Sequence, residues 1–240
     1  MESSTLFNNP LICLGNFLSD LIQASSFAAN LKDAKTGLFR ESNLYESKIA
    51  GLTPQALTRL DIVDVGKILK LEDALIESVL AYDRKVVMQA VSQNFVQTIV
   101  EHSGFVRIGS NLKLPVFDNY KKQKVIAILS YSYDVTAQYD LDFLFESYKN
   151  FYPVKQAIFQ FLRYLKLDSC FQEMPSHQEL VVLLAMRKNS ASKYVAHQLK
   201  RALSPRTIDE YKFRLRRKLK LLSLEDFLAL IRVPNRSHAI

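Results

Sequence analysis

The stretch Leu203-Ser204-Pro205-Arg206-Thr207-Ile208-Asp209-Glu210-Tyr211 predicts the start of an amphipathic helix. A serine side chain accepts a hydrogen bond from an unpaired backbone N–H, and proline fits the first helical position because it has no N–H to lose. From Ile208 onward, apolar residues recur at spacings of three and four, through Tyr211, Leu215 and Leu219. This pattern predicts a helix with one face in a core.

The opposite side of this helix is polar and becomes basic toward its end, with Asp209, Glu210, Lys212, Phe213, Arg214, Arg216, Arg217 and Lys220. The formal net charge of +8 lies entirely in this part of the chain. Gln172 to Ile240 holds 14 Lys and Arg against 6 Asp and Glu, whereas Met1 to Phe171 holds 18 of each kind. A neutral body with a basic end predicts a sensing or assembly module joined to one that meets a polyanion.

Length and composition predict a globular protein of two domains. The chain has 240 residues, of which 48% are hydrophobic and 23% charged, so intrinsic disorder is not expected. No apolar run approaches the roughly 18 residues that cross a bilayer, and the first basic residue, Lys32, comes too late for a secretory signal. Cys13 and Cys170 match no metal or redox spacing. We therefore expect a cytoplasmic protein with reduced thiols, no metal site and no membrane partner.

Three further short helices are expected around the basic one. The first begins at Pro175-Ser176 and includes Leu180 to Leu184, and the second runs from about Ala191 to Lys200. Ser223-Leu224-Glu225-Asp226 is typical of a capping box before the last helix, which Pro234 ends. Four helices, of which the third is the longest and is basic, are the layout of a helix-turn-helix domain.

The range Met174 to Ile231 resembles the LuxR/GerE-type DNA-binding domain. The matching pieces are Leu183-Leu184-Ala185, Lys193-Tyr194-Val195-Ala196 with Leu199, the Ser204 to Ile208 string, Tyr211 and Lys218-Leu219. The resemblance implies an all-α four-helix domain whose third helix enters the major groove. The chain departs from the family at Lys200-Arg201-Ala202-Leu203, a longer turn without glycine, and by an extra residue near Asn189.

The same resemblance implies two sets of DNA contacts. Phosphates would be held by Lys193, Arg206, Thr207, Arg216, Arg217 and Lys220, since cations neutralise phosphate and release counterions. Base edges would be met by Asp209, Glu210, Phe213 and Arg214, since carboxylates accept from cytosine and an aromatic ring contacts a thymine methyl. An alternative stays open: Asp209 and Glu210 complement the helix dipole, and Arg216, Arg217 and Lys220 form a solvated face.

The N-terminal part predicts a hairpin, short helices, one longer helix and antiparallel strands. The hairpin pairs Phe27 to Asp33 with Thr36 to Arg40. Short helices are expected over Asn43 to Gly51 and Thr53 to Leu60, and a longer one over Leu71 to Met88. Strand-like runs follow at Phe95 to Glu101, Gly104 to Gly109, Leu112 to Phe117 and Lys124 to Val135.

This order resembles a PAS domain, from about Asn16 to Thr136. Its most telling part ends in Asp134-Val135-Thr136, where PAS domains commonly have Asp-Ile-Thr or a close variant. The resemblance implies an α+β domain with an antiparallel sheet and flanking helices. We assign residues 1–137 to this sensor or dimerisation domain, 138–171 to a helical linker and 172–240 to the DNA-binding domain.

No cofactor is predicted for the PAS-like domain, and whether it takes a small-molecule ligand stays open. The Asn-Cys-Arg-Phe-Leu pattern of flavin-binding light sensors is absent. His102, the one histidine of this part, is expected to be a packed or surface residue rather than a haem ligand. The aromatic residues Phe27, Phe95, Phe105 and Tyr131 are expected in the core.

The range Gln138 to Lys166 is amphipathic and rich in aromatic residues, and Pro153 predicts a break into two helices. Pairing with a second copy and docking on the sheet both stay open for this segment.

These observations favour a transcriptional regulator that binds double-stranded DNA as a homodimer. The alternative is a basic helical module that binds RNA or an acidic protein, with the N-terminal domain serving assembly. The acyl-lactone domain of quorum-sensing regulators relies on tryptophans, and this chain has none. A phosphoreceiver pattern is also missing. An enzyme is the least expected class, because the sequence offers no catalytic Ser/His/Asp set, metal cluster or phosphate loop.

Overall fold

We describe a computed structural model in which residues 10–118, 124–199, 203–220 and 222–232 are placed. The chain divides into two compact units, Met1–Val135 and Thr136–Ile240. Within the described ranges, every helix is too short or too polar to cross a membrane.

The first unit is built on a five-stranded antiparallel sheet of β1 (Ala28–Asp33), β2 (Phe39–Ser42), β3 (Gln93–Val100), β4 (Val106–Phe117) and β5 (Val125–Asp134). The strands lie in the order β2-β1-β5-β4-β3. The first strand therefore pairs with the last, and Asn30 lies opposite Ser130. This arrangement brings polar residues that are distant in sequence onto neighbouring strands at the middle of the sheet.

Five helices flank this sheet: α1 (Pro10–Ala24), α2 (Leu44–Ala50), α3 (Pro54–Leu57), α4 (Ile62–Leu69) and α5 (Asp73–Gln89). Three begin at a side chain that accepts a backbone N–H: Asn43 before α2, Thr53 before α3 and Asp61 before α4. These caps supply hydrogen bonds that the first turn of a helix cannot make internally.

The predicted α+β class with a PAS-like antiparallel sheet is confirmed, and two details are corrected. The runs expected at Gly104 to Gly109 and Leu112 to Phe117 form one strand, β4, which pairs with β3 and β5 on its two sides. Two helices, α1 and α4, were not predicted. Asn119, expected in the turn before β5, lies outside the described residues.

Replacing Gly51 by alanine is expected to destabilise the first unit by about 2 kcal/mol or more. Gly51 has φ +69°, and an added Cβ would lie 2.2 Å from Cγ of His102. Gly37 is the matched control, because it has φ +73° but open space around it. Urea unfolding should show a clearly larger loss for Gly51→Ala than for Gly37→Ala, and equal losses would contradict the close approach to His102.

The second unit is helical: α6 (Leu141–Phe151), α7 (Val154–Tyr164), α8 (His177–Met186), α9 (Ser192–Gln198), α10 (Pro205–Lys218) and α11 (Leu224–Arg232). The predicted break at Pro153 is confirmed, since this residue lies between α6 and α7. Phe145, Tyr148 and Phe161 of these two helices are fully buried, and both helices pack against α8. The remaining helices, α8 to α11, form the predicted four-helix layout.

Candidate nucleic-acid interface and internal cavity

The predicted start of α10 is confirmed. Ser204 is the N-cap, its Oγ accepts from the backbone N–H of Thr207 at 3.1 Å, and Pro205 is the first helical residue. Ile208 and Leu215 are fully buried. The apolar stripe therefore seats the helix in the core of the second unit and leaves its opposite side in solvent.

That opposite side is an exposed, arginine-rich surface, the outer face of α10, formed by Arg206, Glu210, Phe213, Arg214 and Arg217. Spacings of three and four residues place them on one side of the helix. The Arg206 side chain is 91% exposed and Phe213 is 61% exposed. Glu210 lies 4.0 Å from both Arg206 and Arg214, and such exposed pairs restrain the side chains little. The face is thus free to meet a partner and carries a cationic surplus.

Asp209 contacts the neighbouring helix rather than solvent alone. Its Oδ1 accepts from Oγ of Ser192 on α9 at 2.5 Å and lies 3.7 Å from Nζ of Lys212. Lys212 also donates to Oγ of Ser192 at 2.7 Å and to the carbonyl of Ser190 at 2.6 Å. The expectation that Lys212 belongs to the exposed polar side is wrong, because its side chain is packed against α9 and 15% exposed. This network, the α9–α10 clamp, fixes one helix against the other.

Arg216 is also joined to a neighbour. Its Nη2 lies 3.0 Å from Oε1 of Glu225 on α11, and the hydrogen bond from Arg216 lowers the pKa of Glu225. The structure thus sets Arg216 to the side of the outer face and toward α11.

The other predicted phosphate contacts lie on α9 and at the two ends of α10. Lys193 is exposed on α9. The Oγ1 of Thr207 is 2.9 Å from Oγ of Ser204 in the first turn. Lys220 lies just beyond the helix, where its backbone N–H donates to the carbonyl of Cys170. Lys200, Arg201 and Ala202 of the longer turn lie outside the described residues.

A buried ion pair connects the start of α8 with the end of α10. Ser176 and Glu179 form a capping box that sequence analysis missed, and Lys218 Nζ lies 2.9 Å from Glu179 Oε2. The Glu179 side chain is 4% exposed. Burial alone would raise the pKa of Glu179, but the backbone N–H of Ser176 and the Lys218 ammonium outweigh it and lower that pKa.

Replacing Glu179 by glutamine is expected to lower the free energy of unfolding by about 1–3 kcal/mol at pH 7. Because the folded-state pKa is lowered, ionised Glu179 stabilises the fold above its unfolded pKa, and this is lost as the pH falls through the folded value. The difference in stability between wild type and variant should therefore shrink as the pH falls from 7 to 3. Urea unfolding at pH 7 and pH 3 tests this, and a constant difference would contradict the ion pair.

The first unit contains a cavity of about 110 Å³ between the sheet and helices α2 to α5. Phe95 and Tyr131, expected as core residues, line it. His102 is exposed in the turn after β3 and is not among its lining residues. Over the described part of the chain, three or more His, Cys, Asp or Glu residues nowhere come together as metal ligands.

Two lysines of the sheet are buried beside this cavity. Lys32 on β1 lies 3.1 Å from Asp83 of α5, and Lys113 on β4 contacts the second oxygen of the same carboxylate. The lysine side chains are 5% and 6% exposed. Burial raises the pKa of Asp83, but the two cations outweigh it, so the pKa is lowered. Burial and the neighbouring Lys32 lower the pKa of Lys113 to about 8 despite Asp83.

Sequence analysis missed this cluster. The available signal was a lysine between two leucines, Leu112-Lys113-Leu114, inside a predicted strand. The partner carboxylate is 30 residues from Lys113 and 51 from Lys32.

The described elements form a unit with a PAS-like antiparallel sheet, followed by a helical unit with a four-helix helix-turn-helix layout. No family model matches the chain, and no curated protein does. Similar solved structures include a phage VqmA–DPO complex (17% identity, 95% of each chain, TM-score 0.49). A Vibrio cholerae VqmA–ligand–DNA complex has 17% identity over 91% of this chain and 89% of that one (TM-score 0.46). The PAS domain of Bordetella pertussis BvgS has 16% identity over 53% of this chain and 88% of that one (TM-score 0.44).

Proposed function

We propose that this protein is a sequence-specific, DNA-binding transcriptional regulator whose helix α10 enters the major groove. The observation that carries this proposal is the outer face of α10, an exposed surface with three arginines on the side opposite the fully buried Ile208 and Leu215. The major groove of B-DNA is about 12 Å wide and admits one α-helix. A helix of 14 residues fixed by its apolar side and free on its basic side suits this geometry.

We divide the proposed DNA contacts into two groups. Phosphates are bound by Arg206, Thr207 and Arg217, together with Lys193 and Lys220. Glu210, Phe213 and Arg214 meet base edges. These three side chains lie on the exposed outer face, and their chemistry distinguishes bases, because glutamate accepts from cytosine, phenylalanine contacts a thymine methyl and arginine donates to guanine.

Asp209 and Arg216 have a different proposed role. Asp209 holds α9 against α10 through Ser192, and Arg216 holds α11 through Glu225. Both are positioning residues that keep the outer face of α10 at a fixed angle to its neighbours. A fixed angle supports groove binding, since base edges are read only when the helix enters in one orientation.

Duplex DNA is favoured over RNA because a helix is the reading element. The major groove of A-form RNA is deep and too narrow for side chains to read. Phe213 lies at the middle of the arginine face, where its exposed ring can contact a thymine methyl in the groove.

Selection from random duplex DNA with the full chain tests the proposal. We expect an enriched motif with two half-sites about 10 base pairs apart, since a homodimer places two recognition helices one turn apart. The exposed Leu230 on α11, which is 50% accessible, is compatible with a contact between copies. An RNA duplex of the selected sequence should compete poorly. Absence of enrichment, or equal competition by RNA, would contradict the proposal.

A further inference from the structure

The cavity of the first unit has a charged end on the sheet side. Lys32 and Lys113 line it, whereas Asp83, their shared carboxylate, is not among the lining residues. The lysines thus stand between that carboxylate and the cavity. The Asp83 carboxylate neutralises one of the two lysine charges, so a single positive charge remains at this wall of the cavity.

Glu46 of α2 also lines the cavity. Its enclosure by protein raises its pKa, and Lys32, Arg107, Lys113 and a hydrogen bond from Asn30 offset this only in part. A raised pKa favours the protonated carboxyl, which donates a hydrogen bond and carries no charge. In that form Glu46 does not compensate the positive charge of the wall.

Three buried polar atoms around the lysines lack a hydrogen-bond partner among the described residues: Asn30 Oδ1, Gln97 Nε2 and Ser130 Oγ. All three residues line the cavity. Buried polar groups in native proteins are nearly always satisfied, so these three atoms are available to a polar group inside the cavity. Gln97 and Ser130 can donate to a ligand oxygen beside the lysines.

The helix side of the same cavity is apolar, with Leu57, Val65, Leu69 and Val79 among its lining residues, and the rings of Phe39 and Phe95 lie between the two ends. Lys32 Nζ lies 4.9 Å from the Phe39 ring centroid and Lys113 Nζ 5.6 Å from that of Phe95. The cavity therefore joins a cationic, donor-rich end to a hydrophobic chamber of small volume.

We propose that this cavity binds a small organic monoanion, with its carboxylate or equivalent acidic oxygen at Lys32 and Lys113 and its apolar body among the helices. A ligand with one negative charge compensates the positive charge at Lys32 and Lys113. A neutral ligand leaves that charge uncompensated, and a cationic ligand is repelled by the two ammonium groups. Only the regulatory meaning of such binding rests on the proposed function. The binding itself does not.

Benzoate and its neutral isostere benzamide are suitable probes, with benzylamine as the cationic member and isovalerate as a smaller monoanion. Calorimetry and thermal unfolding of the full chain at pH 7 and constant ionic strength measure the effect. We expect saturable binding and a raised midpoint with at least one monoanion, and affinity for benzamide and benzylamine at least tenfold weaker. Benzamide binding as tight as a saturable binding of benzoate, or no saturable effect of either monoanion, would overturn the proposal.

Lys113→Met keeps the length of the side chain and removes its charge, and we expect it to weaken monoanion binding at least tenfold. Lys85→Met on α5 is the matched control, because Lys85 is exposed and outside the cavity lining, and it should bind as wild type does. If Lys113→Met does not fold, the benzoate–benzamide comparison in wild type still decides. DNA binding is measured separately without any probe, so failure of one proposal is distinguishable from failure of the other.

Discussion

Replacing Asp83 by asparagine is expected to destabilise the first unit by about 3–5 kcal/mol, because it leaves two buried ammonium groups without their counter-ion. Asn has nearly the same volume as Asp, so the packing around α5 is kept while the charge is lost. Lys32 and Lys113, whose side chains are only 5% and 6% exposed, would then repel each other. Urea unfolding of wild type and variant at pH 7 measures the loss.

The pH dependence of this loss separates charge from packing. Without Asp83 the pKa of Lys113, already lowered to about 8, falls further in the folded state, while the unfolded value is unchanged. The unfolded chain then binds more protons, so the stability of the variant rises with pH. We expect the deficit to shrink between pH 7 and pH 9. A deficit that is equal or larger at pH 9 would contradict the buried-charge account.

Glu77→Gln is the matched control for this experiment. Glu77 lies on the same helix as Asp83 and pairs with Arg84 at 3.4 Å, but both side chains are exposed, 66% and 59%. Exposed pairs contribute about 0–1 kcal/mol, so this variant should unfold nearly as wild type does.

The second large effect concerns the outer face of α10. Arg217→Ala is expected to weaken binding to all duplexes by a similar factor, since a phosphate contact carries no sequence information. Glu210→Ala is expected to change the preference at one base pair by about 1–3 kcal/mol and to leave the average affinity less affected. Quantitative binding to the selected site and to single-base variants of it measures both.

Lys155→Ala on α7 serves as the control for loss of charge, because Lys155 is an exposed cation of the same unit away from α10. It should change affinity little. If Arg217→Ala and Glu210→Ala alter binding in the same way across all sequences, the division into phosphate and base contacts is wrong.

Local signals predicted the second unit well. Ser204-Pro205, Ser223-Asp226 and Pro153 each act within a few residues of their position, and all three mark element boundaries in the structure. The buried positions of α10 follow directly from helical spacing. The contacts of Asp209 and Arg216 with neighbouring helices could not be predicted from this spacing. Their partners, Ser192 and Glu225 respectively, lie on other helices.

In the first unit, local sequence signals failed where the structure depends on contacts between distant residues. Gly109-Ser110-Asn111 favours a turn when read alone, yet strands on both sides hold it within β4. Helix α4 was missed although Asp61 caps it through the backbone N–H groups of Val63 and Asp64. The lysine cluster depends on a strand order that pairs β1 with β5, and no short-range pattern contains that order. Whether the linker is a separate segment stays a prediction.

The salt dependence of binding to the selected duplex tests the central claim, that the outer face of α10 lies against DNA. Each neutralised phosphate contributes about −0.9 to the slope of log K against log salt concentration. We predict a steep negative slope for wild type, and a slope shallower by nearly 2 per bound α10 for the double variant Arg206→Ala/Arg217→Ala. A slope near zero for wild type, or the same slope for both proteins, would contradict it.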